Sequence, residues 1–370
     1  MQTMLLTVLG IYNSFPAAGS DEIAYKLGVV PQMVKQARRS LEASNLVVRT
    51  KEGWYVTFAG RLALTKFDKE KARLQNERVK QAIALVCTVL KADPEDLKDF
   101  SLMNKGMTND SYTFYCKDKK YIYRLAGQGT EFLVDRHREY ANYLALEGEG
   151  ISDKVIYLNA MTGTKISEFI EDSTLLDLDS EEDIAMALAA VRHLHTCGIK
   201  TTHNFDFRET ISYYEDICHN SEVEFFSSYF TYKSQILHLL DKISTLCVPT
   251  AFCHIDFIPD NCMIKDGRVI LIDWEYAGMQ DPLVDIAMFS IAGDFDKARS
   301  DRLLKVYLER KPSPTELFRF YTYVATGSLM WSLWSEYKAS QGETFEGYTD
   351  RLYNLCKEYS AYALELSQKI

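Results

Sequence analysis

Residues 252–287 read FCHIDFIPDNCMIKDGRVILIDWEYAGMQDPLVDIA. His254, Asp256 and Asn261 stand in the order H-x-D-x-x-x-x-N, and Asp273 follows in I-D-W-E. The flanking apolar runs, of which Val269 to Ile272 is the clearer, predict two short strands with Lys265-Asp266-Gly267 as the turn between them. A loop followed by that hairpin gathers Asp256, Asn261 and Asp273 at one end of the strand pair. Each of the three alone reads as an ordinary turn residue. Their order and spacing together point to a catalytic loop.

Phosphoryl transfer needs these three groups. A carboxylate accepts the proton of the attacking hydroxyl, and a carboxamide and a second carboxylate hold Mg²⁺ against nucleotide phosphates. Asp256 fits the base. Asn261 and Asp273 fit the metal ligands, because Mg²⁺ takes hard oxygen donors. His254 fits a structural part, bracing the loop through its ring nitrogens.

The stretch resembles the aminoglycoside phosphotransferase and choline kinase families, which share the protein-kinase-like fold. The resemblance to choline kinases is the closer and runs from about Phe100 to the C-terminus. Its motifs here are the I-D-[FW]-E-Y pattern, matched by Ile272 to Tyr276, and a D-x-x-x-D-[IL]-A stretch, matched by Asp281 to Ala287.

The chain has 370 residues, 47% hydrophobic and 25% charged, which suits a soluble globular protein of two or three domains. The net charge of −10 argues against nucleic-acid binding by the whole chain. Residues 1–75 nevertheless hold eleven Lys/Arg against six Asp/Glu, about +5, which leaves about −15 for the remainder and suggests two modules. The eight cysteines form no C-x-x-C pair and read as reduced thiols. No apolar run approaches a membrane span and no signal peptide is evident, so a cytoplasmic enzyme without membrane contact is expected.

Residues 1–66 predict a winged helix-turn-helix. A first apolar helix runs to about Tyr12. Ser20 can cap a second, which Gly28 ends, and Pro31 opens a third. On the third, Val34, Ala37 and Leu41 form the apolar face, and Lys35, Arg38 and Arg39 project elsewhere. Leu46 to Val48 and Trp54 to Phe58 predict the wing. The third helix offers three basic residues and few Asn or Gln side chains for base reading. Contact with DNA and a regulatory or packing role both remain open. Residues 67–91 predict a helical linker, with Asp93-Pro94-Glu95 as the break after it.

From Phe100 the pattern turns to strands, and residues 92–175 predict a β-rich N-lobe. Ser101 to Asn104 and Ser111 to Cys116 flank a turn containing Gly106. Choline kinases carry a similar G-[ML]-[TS]-N turn, which implies phosphate contacts from Gly106, Asn109 and Ser111. Lys120 to Leu125 is a strand bearing Arg124. The resemblance implies that Arg124 takes the phosphate-binding place held by Lys in protein kinases, and an Arg fork can hold two phosphate oxygens. Gly127, Gly129, Thr130 and Arg136 fit the related R-L-x-G-x-G-T pattern. A helix from Asp135 to Leu146 carries Glu139, expected to pair with Arg124. Lys165 to Ile170 is a further strand, and the order of elements makes Phe169 and Ile170 part of a hinge that reads adenine through its backbone.

Residues 176–370 predict a helical C-lobe. Glu181 to Cys197 ends at Gly198, and the resemblance implies a structural His195. Leu329 to Trp334 places Trp331 and Trp334 three apart on one helix face. By itself this is an aromatic core stripe. Choline kinases carry W-x-L-W here in the wall around the trimethylammonium, with a Tyr beyond it that matches Tyr348. A quaternary ammonium has no N–H to donate, so aromatic faces are fitting receptors. Tyr276 is expected to close this cage and Glu275 to add charge nearby. Arg351 replaces a further Tyr of the eukaryotic pattern, so that wall is either missing or supplied by Tyr353.

The expectation is an α+β, bilobal protein-kinase-like fold behind a winged helix-turn-helix. Its expected activity is ATP- and Mg²⁺-dependent phosphorylation of a small amino alcohol, choline first. Ethanolamine or aminoglycoside phosphorylation is the alternative enzyme reading. A transcription regulator that senses a ligand through the kinase fold is the alternative of another class.

Overall fold

A computed structural model describes residues 2–27, 29–51, 53–103, 109–126, 134–345 and 347–370, and only the backbone of residues 2, 3, 58 and 69–76. Gly28, Gly106, Gly127, Gly129 and Thr130 lie outside the described residues. Two compact units emerge: residues 1–85 with 220–223 and 335–346, and residues 86–219, 224–334 and 347–370. No helix among the described residues is long and apolar enough to cross a membrane.

The first unit opens with α1 (Gln2–Ser14), α2 (Ser20–Leu27) and α3 (Pro31–Ala43), followed by an antiparallel hairpin of β1 (Val47–Arg49) and β2 (Trp54–Val56). Its core gathers Val8, Leu9 and Tyr12 of α1, Ile23 and Ala24 of α2, Val34, Ala37 and Leu41 of α3, and Val47 and Val56 of the hairpin. The α3 face expected from its spacing is thus the buried one. The second strand stops at Val56 rather than Phe58. Thr57 explains the difference: its Oγ1 accepts the Gly60 amide at 3.0 Å and its carbonyl accepts the Arg61 amide at 2.9 Å. That makes Thr57 an N-cap. Phe58 therefore opens α4 (Phe58–Leu90), one continuous helix where a linker helix was expected to begin at residue 67.

The second unit carries a five-stranded antiparallel sheet of order β3-β4-β5-β7-β6, formed by β3 (Leu97–Leu102), β4 (Asn109–Cys116), β5 (Lys119–Ala126), β6 (Val155–Leu158) and β7 (Lys165–Glu168). Alternation along β4 turns Tyr112, Phe114 and Cys116 inward. Between β5 and β6 lies α5 (Arg136–Ala145), capped by Asp135, whose carboxylate accepts the His137 and Arg138 amides at 3.0 and 3.2 Å.

Beyond β8 (Thr174–Leu175) the unit is mainly helical: α6 (Glu181–Thr196), α7 (Phe207–Asn220) and α8 (Tyr229–Ser244). Four short strands follow. β9 (Ala251–Cys253) pairs with β12 (Gly278–Gln280), and β10 (Cys262–Lys265) pairs with β11 (Arg268–Leu271) about the expected turn. Then come α9 (Leu283–Ala292), α10 (Lys297–Leu308), α11 (Pro314–Ser340) and α12 (Tyr348–Ser367). In α9 every residue from Leu283 to Ile291 is buried, so this helix is the fixed body behind the β9–β12 loops.

Candidate active site

The loop after β9 is held from behind by α9. The Asp285 carboxylate accepts the His254 amide at 2.9 Å and the Ile255 amide at 2.7 Å, and it lies 2.8 Å from His195 Nε2. The other nitrogen of His195 lies 2.8 Å from the Tyr307 hydroxyl, so His195 is a strut, as expected. These bonds hold Ile255 at a φ of 69°, where a β-branched residue is strained by about 1–3 kcal/mol. The His254 Nε2 lies 2.9 Å from the Ile272 carbonyl, and burial lowers its pKa, which keeps the ring neutral. His254 therefore braces the loop.

Asp256 and Asn261 meet. Asn261 Nδ2 donates to the Asp256 carbonyl and to Asp256 Oδ2, at 2.9 Å each. Burial first, then the neighbouring Asp273 charge, pushes the Asp256 carboxyl up to about 7. Spending its nitrogen on Asp256 leaves the Asn261 side chain an oxygen donor. Asp273, at a φ of 68°, gives one oxygen to Arg124 Nη1 at 3.1 Å and stays one-third exposed (33%). An amide oxygen and a partly exposed carboxylate are a donor set that fits Mg²⁺. Glu139, Asp273 and Glu275 also lie within ligating reach of one another, but Arg124 and Arg136 pair with all three, which makes them an ion-pair cluster.

The cluster is the buried centre of the site. Arg124, on β5, pairs with Glu139 on α5, as expected, and its Nη2 donates to the Gly163 carbonyl at 3.2 Å. Burial disfavours the Arg124 charge, yet Glu139, Asp273 and Glu275 more than offset it and raise its pKa. Arg136 Nη1 reaches Glu139 at 2.8 Å and Glu275 at 3.1 Å. Gly163, at a φ of +67°, permits this: a Cβ there would lie 2.5 Å from Arg136 Nε. Glu275 belongs to the same cluster. It is 7% exposed and bound to Arg136, with its pKa pushed up to about 8 by burial and by Asp273. A residue left unnoticed in the sequence is Asn142, whose Nδ2 donates to the Trp274 and Ala277 carbonyls at 3.0 and 2.8 Å and so fixes the segment around Glu275.

At the edges of the cluster, Asn109 Oδ1 accepts from Arg136 Nη2 at 3.4 Å, and Ser111 stands opposite Arg124 in the β4–β5 register. At the expected hinge the backbone is partly engaged. The Phe169 amide donates to the Lys120 carbonyl at 2.9 Å, and the Phe169 carbonyl accepts the Glu171 amide at 3.0 Å. The Phe169 backbone is thus already engaged. Its ring lies under Lys120 Nζ at 4.0 Å, and Ile170 follows with its carbonyl accepting Ser173 Oγ at 2.6 Å.

Three of the expected aromatic side chains touch one another. Tyr276 meets Trp331 edge to face at 5.4 Å, and Trp331 meets Trp334 in the same manner at 5.9 Å. Trp331 Nε1 donates to Met288 Sδ of α9 at 3.3 Å, and Trp334 is buried. Tyr348 is half-buried; after burial and Arg351, the Asp256 charge also acts on its phenol, so the ring lies within electrostatic reach of that carboxylate. Arg351 stacks on Tyr348 at 5.1 Å and is tied to Asp294 at 2.8 Å. Tyr353 is stacked on Phe226 at 4.1 Å and bonded to Ser228, so it supplies no wall here.

The family model described as choline/ethanolamine kinase matches residues 100–366. The protein LicA of Haemophilus influenzae is 26% identical over 66% of this chain and 74% of its own. Ethanolamine kinase 2 of Mus musculus is 27% identical over 62% of this chain and 67% of its own. Among solved structures, the choline kinase LicA from Streptococcus pneumoniae superposes with a TM-score of 0.61 at 28% identity, covering 71% of this chain and 94% of the other. A structure of LicA in complex with AMP gives 0.63 at 28% identity, covering 73% and 94%. The α+β, protein-kinase-like fold expected from the sequence is therefore the fold of the second unit.

Proposed function

The chain belongs to the choline/ethanolamine kinase family, and on that premise we propose that it is a choline kinase using ATP and Mg²⁺ to form phosphocholine. Asp256 is the base. A buried carboxylate pushed up to about 7 is a stronger proton acceptor than an ordinary one and suits a reaction near neutral pH. Asn261 holds Asp256 by its nitrogen and offers its oxygen to the metal, with Asp273 as the second ligand. Bound Mg²⁺ would neutralise the phosphate oxygens. Arg124, oriented by Glu139, faces the phosphates beside Asp273. Asn109 and Ser111 are the neighbouring phosphate contacts, and the Ile170 amide is the remaining backbone contact for adenine. Choline sits with its hydroxyl at Asp256 and its ammonium against Trp331, Trp334, Tyr276 and Tyr348.

One observation carries this reading. In the four residues Asp273 to Tyr276, the first is paired with Arg124 and the last abuts Trp331. A phosphate-handling end and an aromatic receptor thus belong to one short segment. The test is ADP release with Mg²⁺ and ATP against choline, ethanolamine and an aminoglycoside. The highest kcat/KM should belong to choline. Preference for ethanolamine, also a substrate named among the relatives, moves the acceptor assignment; turnover of none of them rejects the enzyme.

Residues 1–66 are proposed to be a winged helix-turn-helix, a module that contacts DNA or a regulatory protein, with residues 67–91 as the linker. The order α1, α2, α3, β1, β2 supports this. Residues 92–175 and 176–370 are then the two lobes of a cytoplasmic kinase, whose cysteines are free thiols.

A further inference from the structure

We propose that the first unit binds duplex DNA in the major groove through the solvent face of α3, an inference that rests on its being a winged helix. Val34, Ala37 and Leu41 fix one side of α3 in the core. The opposite side is then determined: Gln32, Lys35, Gln36 and Arg39 are all exposed. Their spacing of three, four and seven residues makes one stripe along the helix. Of the basic residues picked out in the sequence, Lys35 and Arg39 belong to this stripe and Arg38 does not. Arg38 is engaged inside the unit, donating to Ser20 Oγ at 3.0 Å and lying 5.1 Å from the Trp54 ring centroid. It is a packing residue, whereas the two glutamines belong to the open stripe.

The chemistry of that stripe fits base edges. A glutamine amide donates and accepts in the pair of directions that adenine presents in the major groove, and Lys or Arg meets guanine or phosphate. Val30 and Met33 are also exposed near the start of α3, 60% and 45%, and suit contact with a thymine methyl. The wing adds cations: Arg49 and Lys51 are exposed. It is held in place from the α1–α2 connection, where the Trp54 amide donates to the Pro16 carbonyl at 2.8 Å. Gly53, at a φ of +142°, lets that carbonyl approach, since a Cβ would collide with it. Residues 1–75 carry about +5 in a chain of net −10, so the charge complementary to phosphate is concentrated here.

The full-length protein is titrated into a labelled mixed-sequence duplex over a range of KCl concentrations, and a random duplex pool is enriched on it. Binding should weaken linearly in log K against log salt. Lys35→Ala with Arg39→Ala should lower affinity about tenfold or more and reduce the salt slope by about 2, with choline turnover unchanged. Gln32→Ala with Gln36→Ala should lower affinity for the enriched sequence about 5- to 100-fold while leaving mixed-sequence binding in place. Absence of salt-dependent duplex binding, a Lys35/Arg39 variant that binds like the parent, or capture of a protein partner without DNA binding overturns the proposal. Amide hydrogen exchange on the full-length protein separates the two levels. Unprotected amides in α3 and the wing of the free protein remove the winged-helix reading itself. Protection there that duplex DNA does not increase removes only DNA binding.

Discussion

The two ends of the candidate site are built by different physics. At the polar end, Asp256, Asn261 and Asp273 sit on loops at left-handed or tightly turned backbone, and their positions are set by hydrogen bonds and charges arriving from α5, β5, α6 and α9. Asp285 alone serves two backbone amides and His195. At the aromatic end, Trp331 and Trp334 ride on one long helix and pack edge to face, and Trp331 is bonded to Met288. A polar end held in this way has a sharp geometric tolerance, because a lost acceptor strands a buried donor. An aromatic wall loses contact area gradually. The contrast predicts that equal-sized changes damage kcat at the first end and KM at the second.

The largest effect should come from Asp256→Asn. It keeps shape and folding, and turnover should fall by about 10²–10⁴ as expected when a general base is removed. Full activity in the variant would reject the base assignment. Next is Asp285→Asn, which touches no reactant. An amide can serve one of the two backbone donors but presents its own N–H to the other, at a cost of about 1–3 kcal/mol. Both Tm and kcat should fall while KM for choline holds; a variant with normal turnover would show that the loop holds its shape without α9.

Trp331→Ala examines the other end. A desolvated cation–π contact contributes about 0.5–2 kcal/mol, so KM for choline should rise about 2- to 30-fold with KM for ATP nearly unchanged. Parallel rises in both constants would mean that Trp331 supports the whole cleft rather than the ammonium, and the contrast between the ends would dissolve.

The same contrast governs what could be read before the fold was known. Asp256, Asn261 and Asp273 were legible because their spacing lies within one loop and hairpin. Arg124 and Glu139 were legible as strand and helix in order. The Glu275–Arg136 pair was not legible because the two lie 139 residues apart, and no local pattern couples them. Asn142 was missed for the same reason, with its acceptors 132 and 135 residues on. Asp285 stood within the recognised motif, but only the fold reveals which amides it holds. Tyr353 was a reasonable candidate by composition, and the rotation of α12 sends it to Phe226. The start of α4 is a different kind of miss: Thr57 and Gly60 carried a local capping signal that was overlooked.

The smallest effect tests whether the aromatic end depends on the far end of its own helix. Glu316 lies in the first turn of α11, and its carboxylate accepts from the Ser313 amide and hydroxyl at 2.8 Å each while Ser313 Oγ accepts the Glu316 amide at 3.2 Å. This reciprocal capping box is reinforced by Arg310, at 2.6 Å, and the arginine is the main cause that lowers the carboxyl to about 2. A depressed carboxyl contributes stability that is fully present above its unfolded pKa, about 4.3, and is lost as pH falls through about 2. Glu316→Gln should therefore lower stability by about 1 kcal/mol at pH 7, as loss of a helix cap does, and by progressively less as the acid limb is approached. Urea unfolding of both proteins across that range reads the difference directly. Because Trp331 lies fifteen positions further along α11 and is held by Met288 and Tyr276, KM for choline should not change at pH 7. A rise in KM would mean that fraying at the helix start reaches the tryptophans, and that the wall is held by α11 as a whole rather than by its own neighbours.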